Sequence, residues 1–282
     1  KSGMLTRGED AIKDVFTATN HQSLLCFSNC AKVFELKVYN LPEAALRSKG
    51  AHIASILKLR DGEKIVQILP VQEFKESDFV LSVTAQGYVK KTDLMAYSKI
   101  RETGIIGLKL EDNDELISCA IVGEKDEVII ATKMGKAIRF AGSDVRPMGR
   151  ASRGVTGIRF SEEKDSVIGM EVIRSQATIL SVCENGYGKR TPLEEYRVQS
   201  RGGKGIYTIK VTERNGPVVG ILQVDENEDL MCMTSSGKLM RFTINEIGII
   251  GRLTQGVRLM QVDEGEKVTS LCKVAKIDGE EV

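Results

Sequence analysis

Tryptophan is absent, histidine occurs twice and proline five times in 282 residues, and 40 Lys+Arg nearly cancel 39 Asp+Glu. Each shortage excludes something. A chain this close to neutral has no bulk basicity to attract nucleic acid, so any basic face must come from segregation of its charges. His21 and His52 lie far apart, which argues against a zinc site or a histidine-based catalytic triad. Cys26, Cys30, Cys119, Cys183, Cys232 and Cys272 form no C-x-x-C pair and mostly sit in apolar runs such as "ILSVC" and "LMCM". They read as small core residues in a reducing compartment. No apolar stretch approaches the roughly 18 residues of a membrane span, and "KSGMLTRGED" has no apolar leader core. A soluble, non-secreted, cytoplasmic chain is expected, and a start without Met reads as a fragment.

What the chain does have is a repeat. Residues 179–224, "ILSVCENGYGKRTPLEEYRVQSRGGKGIYTIKVTERNGPVVGILQV", lie over 230–274 as strand, Gly turn, strand, loop ending in Gly, strand, polar turn, strand. The same cycle fits about 24–71, 80–122 and 128–173. Turn glycines Gly87, Gly135, Gly186 and Gly237 are spaced by 48, 51 and 51 residues, and loop glycines Gly50, Gly104, Gly154, Gly205 and Gly256 by 54, 50, 51 and 51. Each repeat reads as a four-stranded antiparallel unit, with "ENGYG" as a type I′ hairpin turn. In the first repeat Cys30 stands at the turn-glycine place, with Asn29 the candidate for the left-handed position. Such sheets cover both faces only when packed radially, so the expectation is one all-β, propeller-like domain over 1–282. Residues 1–20 match only the back half of a repeat, which raises the expected blade count to six, the front of the first being absent from this sequence.

Equivalent positions in a ring of repeats share one place on the disk, so charge can be summed by column. Lys91, Arg139, Arg190 and Arg241 stand four residues past the turn glycines, with Phe34 at that place in the first repeat. A second group precedes the loop glycines: Arg47 and Lys49, Arg101, Arg150 and Arg153, Arg201 and Lys204, and Arg252. The acidic residues gather in other turns, "RDGEK", "EDNDE", "SEEKD" and "DENED". That separation lets a neutral chain bind a polyanion along one edge. With few aromatics for stacking on single strands, duplex DNA held through its phosphates fits better. Bending it by a half-turn over about 40 base pairs would cost on the order of 10 kcal/mol, so several blades must contribute. No phosphate-binding G-x-x-x-x-G-K-[ST] pattern occurs, Glu162, Glu163 and Asp165 read as solvated turn residues, and no nucleophile–base pair stands out. No catalytic or metal site is expected.

The phrases "FELKVYNLPEA", "NGYGKRTPLEEY", "IKVTERNG", "GVTGIRF" and "EIGIIGRLTQGV" resemble the C-terminal domain of bacterial DNA gyrase A subunits over essentially the whole chain. The resemblance implies a β-pinwheel whose blades exchange strands. It implies wrapping of duplex DNA on a basic rim for strand passage and negative supercoiling, within an A2B2 assembly in the bacterial cytoplasm. The catalytic tyrosine, ATP and Mg would belong to other parts of that assembly, and the isolated domain would be monomeric. "QSRGGKG", comprising Gln199, Ser200, Arg201, Gly202, Gly203, Lys204 and Gly205, resembles the family's basic box Q-[RK]-R-G-G-[RK]-G. Ser200 departs from it, and so does its place in the fourth whole repeat, since the family's box lies in the first blade. That box is expected to precede Lys1, leaving 199–205 as a box-like copy. Two rival readings are the corresponding domain of topoisomerase IV and a propeller scaffold for protein partners.

Overall fold

Runs such as "VLSV", "VIIA" and "ILSV" are apolar at consecutive positions, so each must be covered on both faces. The computed structural model describes residues 16–43, 50–174 and 177–275 and shows how this is done. The first repeat supplies β1 (Ser23–Ser28), β2 (Lys32–Lys37) and β3 (Ile65–Val71). The second supplies β4 (Phe79–Thr84), β5 (Tyr88–Asp93), β6 (Ile105–Ile106) and β7 (Leu116–Val122). The third has β8 (Glu127–Thr132), β9 (Lys136–Ala141), β10 (Val155–Thr156) and β11 (Val167–Ile173). The fourth has β12 (Thr178–Cys183), β13 (Tyr187–Pro192), β14 (Ile206–Tyr207) and β15 (Val218–Val224). The last has β16 (Glu228–Thr234), β17 (Leu239–Thr243), β18 (Val257–Arg258) and β19 (Val268–Ala275).

Each central strand is split between two cores by its period of two. Val128 and Ile130 of β8 pack with Leu81 and Val83 of β4, while Ile129 and Ala131 face Ile179 and Tyr196 of the next repeat. Leu180 and Val182 of β12 in turn meet Leu230 and Cys232. Burial of one such side chain contributes roughly 1.5–3 kcal/mol. The hydrophobic core is therefore a series of layers between adjacent blades. Strands β3, β7, β11, β15 and β19 touch one another in sequence and form the hub, which places the strand farthest from them at the perimeter.

That outermost strand corrects the reading of the repeat as a self-contained four-stranded unit. The sheet orders are β3-β1-β2-β6, β7-β4-β5-β10, β11-β8-β9-β14 and β15-β12-β13-β18. In each, the fourth strand is two residues long and comes from the following repeat. The fifth sheet, β17-β16-β19, has three strands among the described residues. Five blades, rather than six, are seen; residues 1–15 lie outside the described residues.

The hairpin turns differ from expectation in a second way. Gly186 has φ 78°, but Asn185 is not left-handed, so "ENG" is a type I turn followed by one left-handed residue rather than a type I′ pair. Gly186 N donates to Cys183 O, and the equivalent bond, to a Thr carbonyl, closes the turns at Gly87, Gly135 and Gly237. In the first repeat the left-handed residue is Ala31, φ 56°, not Asn29 or Cys30. The first-repeat counterpart of the cation column is therefore Glu35 rather than Phe34, as the pairing Phe27↔Val33 beside Val83↔Val89 also requires. Five of the cysteines are buried, Cys30 is exposed, and all six are free thiols.

Turn glycines Gly87, Gly135 and Gly186 are required twice over, by conformation and by crowding. A Cβ on Gly135, at φ 78°, would stand 2.2 Å from the carbonyl oxygen of Ile209 in the following repeat. Gly149, with nothing within 4 Å, has neither constraint. Gly135→Ala is expected to cost about 2 kcal/mol or more, and Gly149→Ala less than about 0.5 kcal/mol. Paired urea denaturation curves check this, and equal midpoints would show that the turn tolerates a side chain.

Candidate nucleic-acid interface

The loop that ends in each Gly-X-X strand crosses the outer edge of the preceding blade. Gly104, Gly154, Gly205 and Gly256 all have positive φ, and a Cβ on the last three would come within 2.5–2.7 Å of backbone oxygens of Val89, Ala137 and Gly188. Only glycine lets the two backbones pair this closely. The recurring loop glycine is thus the mark of strand exchange, and the cations just before it are carried to the rim.

These loops are tied to one another by a repeating bond. Arg150 Nη1 donates to Ile106 O at 3.3 Å, Arg201 Nη1 to Thr156 O at 3.0 Å, and Arg252 Nη1 to Tyr207 O at 3.0 Å. Each acceptor is the second residue of the preceding exchanged strand. Arg201 Nε also reaches Asp144 O at 2.9 Å. In the box-like loop Gln199 N donates to Arg139 O, Gly202 N to Gly157 O, and Gly203 O accepts from Arg159 N. Ser200 is exposed, and Gly202 and Gly205 are left-handed, so this loop is a close-fitting turn and not a linker. Arg101, Arg153 and Lys204 are exposed, with Arg153 3.2 Å from Glu111. Arg47 and Lys49 lie outside the described residues.

The column four past the turn glycines is not brought to that surface. Lys91 is buried, donates to Gly142 O at 3.0 Å and lies 4.7 Å over the Phe79 ring. Arg139 holds Glu127 through Nε at 2.8 Å and Nη2 at 2.6 Å and donates to Leu193 O and Tyr196 O, both at 3.1 Å. Arg190, 4% exposed, donates to Ile247 O at 2.7 Å. Their targets are the carbonyls of the 3-10 turn in the following repeat. These three cations stitch repeat to repeat, and desolvation of the charge makes such bonds necessary once it is buried. Among the described residues Arg241, in the last repeat, keeps only its in-blade partner Asp229 at 2.6 Å, and its side chain is 60% exposed. Asp165 likewise proves to be buried, where it accepts from the N–H groups of Met134 and Ser166.

Sequence reasoning missed a better column. Lys109, Arg159 and Lys210 are exposed, five residues past loop glycines, and Lys58 holds the same place behind the longer first loop. Buried Leu57, Leu108, Ile158 and Ile209 precede them. The backbone N–H groups of three of these cations bind the next rim loop: Lys109 to Ser152 O, Arg159 to Gly203 O and Lys210 to Thr254 O. The regular spacing of the glycines carried this signal, although only the columns nearest each glycine were read.

Two lysines beneath the rim are buried as well. Lys90 collects the carbonyls of Gly107, Gly149, Arg150 and Ser152, and Lys189 that of Gly251. Burial, helped by the nearby Arg150 charge, pushes Lys90 down from 10.5 to about 8, and burial does the same to Lys189. A lysine depressed in the folded state binds its proton more weakly there, so stability rises with pH between about 8 and 10.5. Relative to a Lys90→Met, Lys189→Met protein, the wild type is expected to gain stability from pH 7.5 to 9.5. Denaturant titrations at the two pH values check this, and parallel curves would mean that the ammonium groups are not desolvated.

Comparison with known proteins agrees with this geometry. The family model "DNA gyrase C-terminal domain, beta-propeller" matches residues 22–72, 78–123, 126–174, 178–225 and 228–271. Similar curated proteins include the DNA gyrase A subunits of Salmonella typhimurium, 43% identical over 283 residues, and of Escherichia coli K12, 44% over 281 residues. Both alignments take in all of this chain and 32% of the relative, so the chain spans about a third of their length. Among solved structures, the C-terminal domain of DNA topoisomerase IV superposes with TM-score 0.83 at 24% identity, covering 91% of this chain and 80% of that one. A DNA gyrase A C-terminal domain gives 0.79 at 24%, covering 96% and 91%; at such identity the two show a shared fold. With its five repeats matched one after another, the chain belongs to the DNA gyrase C-terminal domain family.

Proposed function

We propose that this chain binds duplex DNA through its phosphates and wraps it along the outer edges of the blades. In this reading it is the DNA-presenting part of one of the two A subunits of a gyrase, which work with two B subunits in an A2B2 assembly in the bacterial cytoplasm. ATP and Mg are used elsewhere in that assembly. The observation that carries the reading is the band of exposed cations on the perimeter. Lys109, Arg159, Lys204 and Lys210 have no carboxylate partner among the described residues, and each is held in or against a rim loop. A row of phosphates meets this band with little reading of base edges.

The reading includes a sixth blade, to which residues 1–20 contribute. The fifth sheet supports it. Leu239 is 41% exposed where its counterparts Val33, Val89 and Ala137 are at most 1% exposed, and Arg241 lacks the following-repeat carbonyls that its counterparts use. Both are fitted to receive a further repeat.

Ligation of nicked circular DNA in the presence of the protein, at two salt concentrations, tests wrapping. A linking-number shift of one sign that grows with protein and vanishes at high salt is expected, and binding without a shift would overturn wrapping. Replacement of Lys109, Arg159 and Lys210 by Ala is expected to weaken binding to unrelated sequences alike. It should also make the slope of log K against log salt shallower by about 0.9 per lost phosphate contact. An unchanged slope would take this column out of the DNA path.

A further inference from the structure

Beneath each rim loop lies one residue from the outer strand of the preceding repeat, three past the left-handed turn residue. It is Phe34, Lys90, Ile138 and Lys189 in the first four repeats; Met240 has that place in the last, where no following loop lies over it among the described residues. A Cβ on Gly104 would stand 2.9 Å from the Phe34 ring, and one on Gly203 3.5 Å from Ile138 Cδ1. Two of the four residues under a loop, Phe34 and Ile138, are apolar, so the fold does not require a charge at this place. Burying an ammonium there costs several kcal/mol before its bonds are made. Lys90 is nevertheless 0% exposed, and its Nζ donates to Gly107 O at 2.6 Å, Gly149 O at 3.2 Å, Ser152 O at 3.4 Å and Arg150 O.

The consequence follows from peptide planarity. In a trans peptide the N–H points away from the preceding C=O. Carbonyls of Gly149, Arg150 and Ser152 that turn inward to the ammonium leave the N–H groups of Arg150, Ala151 and Arg153 turned outward. None of the three donates to an acceptor among the described residues. Successive outward N–H groups with a cation behind them form an anion-binding concavity.

The sister loop holds an oxyanion in the corresponding place. Lys189 draws in Gly251 O, and the next N–H, that of Arg252, donates to Glu195 Oε2 at 3.1 Å. Glu195 stands nine residues past its turn glycine; in the repeat that faces loop 149–153, Ala96 has that place. A carboxylate of the chain thus covers one seat, whereas Ala96, at the corresponding place before the other, carries none.

We infer that Lys90 organises a seat for one DNA backbone phosphate on the N–H groups of Arg150, Ala151 and Arg153, and that Glu195 blocks the equivalent seat beside Arg252. This rests on the DNA-binding reading above. The two seats respond in opposite directions to substitution. Ala96→Glu supplies the blocking carboxylate and is expected to weaken duplex affinity three- to tenfold and make the salt slope shallower by about one contact. Glu195→Ala uncovers the second seat and is expected to strengthen affinity and steepen the slope by a similar amount. Lys90→Met is expected to weaken binding in the wild type and to add nothing in the Ala96→Glu background.

Fluorescence anisotropy with a 40-base-pair duplex over a salt series, on variants whose unfolding transition stays cooperative, measures all of these. Wild-type binding with affinity and slope unchanged by Ala96→Glu and Glu195→Ala would overturn the seat and leave the DNA reading standing. Failure of the wild type to bind would overturn both. Should Lys90→Met not fold, the Ala96 and Glu195 pair decides the matter alone.

Discussion

A three-stranded blade ends in a row of unpaired backbone groups at the perimeter, and the arrangement of the rim depends on how that edge is closed. Here the next repeat closes it with two residues. So short a strand brings little binding of its own, and its place is secured by what flanks it: a left-handed glycine on one side and a buried apolar residue on the other. Gly154 and Ile158 bracket Val155–Thr156 in this way, as Gly205 and Ile209 bracket Ile206–Tyr207. Because each such edge is closed by the following repeat, the rim loops inherit the spacing of the blades. A repeat protein coupled mainly to its neighbours is thereby given a regular outer surface.

The same residue types perform two opposed tasks in this frame. Arg190 is taken out of water and Arg139 partly so, and both bond to carbonyls of the following repeat, whereas Arg159 and Lys210 stay in water beside the next loop. Hydrogen bonds to a charged group contribute roughly 1.5–3 kcal/mol each, which is what makes the buried positions tolerable. Acidic residues follow a similar division. Asp114 and Asp165 accept the hairpin-turn N–H groups of Gln86 and Met134, so part of the negative charge is fixed in the turns rather than on the outer edge. A chain with almost no net charge can in this way keep cations such as Lys109, Arg159 and Lys210, unpaired among the described residues, exposed along its perimeter.

The period of the repeat, the glycine columns and the continuous apolar strands were legible in the sequence because each is a backbone or burial requirement imposed afresh in every blade. Strand exchange was not legible from the residues themselves, since two residues have no periodicity; only the family resemblance implied it. The fate of "KK" at 90–91 and "KR" at 189–190 was hidden too. Adjacent cations read as surface, and their burial depends on carbonyls that arrive from another repeat. The turn of the first repeat was misplaced by one residue because Ala31 accepts a left-handed conformation that costs a residue with a Cβ about 1 kcal/mol, and no glycine marked it. That slip also put Phe34 rather than Glu35 in the cation column. The exposed column at Lys109, Arg159 and Lys210 was present in the spacing all along, farther from the glycine than the residues first considered.

In the proposed reading, bending duplex DNA through a half-turn over about 40 base pairs would oppose the contacts by on the order of 10 kcal/mol, and flexible cations would lose much of their attraction to ordering. The structure meets this by ordering the rim before any ligand arrives. Arg150, Arg201 and Arg252 already bond to the preceding exchanged strand, and Lys109 N, Arg159 N and Lys210 N already hold the next loop. Placement of the rim loops is therefore achieved during folding, in the same bonds that close each sheet. The buried lysines fit this logic: they weaken the fold near neutral pH, yet they fix the direction of the loop's backbone groups. Apolar residues at 34 and 138 show that the blade itself does not need them. A charge retained against its desolvation cost at two positions, each under a loop that bears arginines, is more economically explained by an oxyanion held on those loops, the Glu195 carboxylate above Lys189 and the proposed phosphate above Lys90, than by what the blades must hold together.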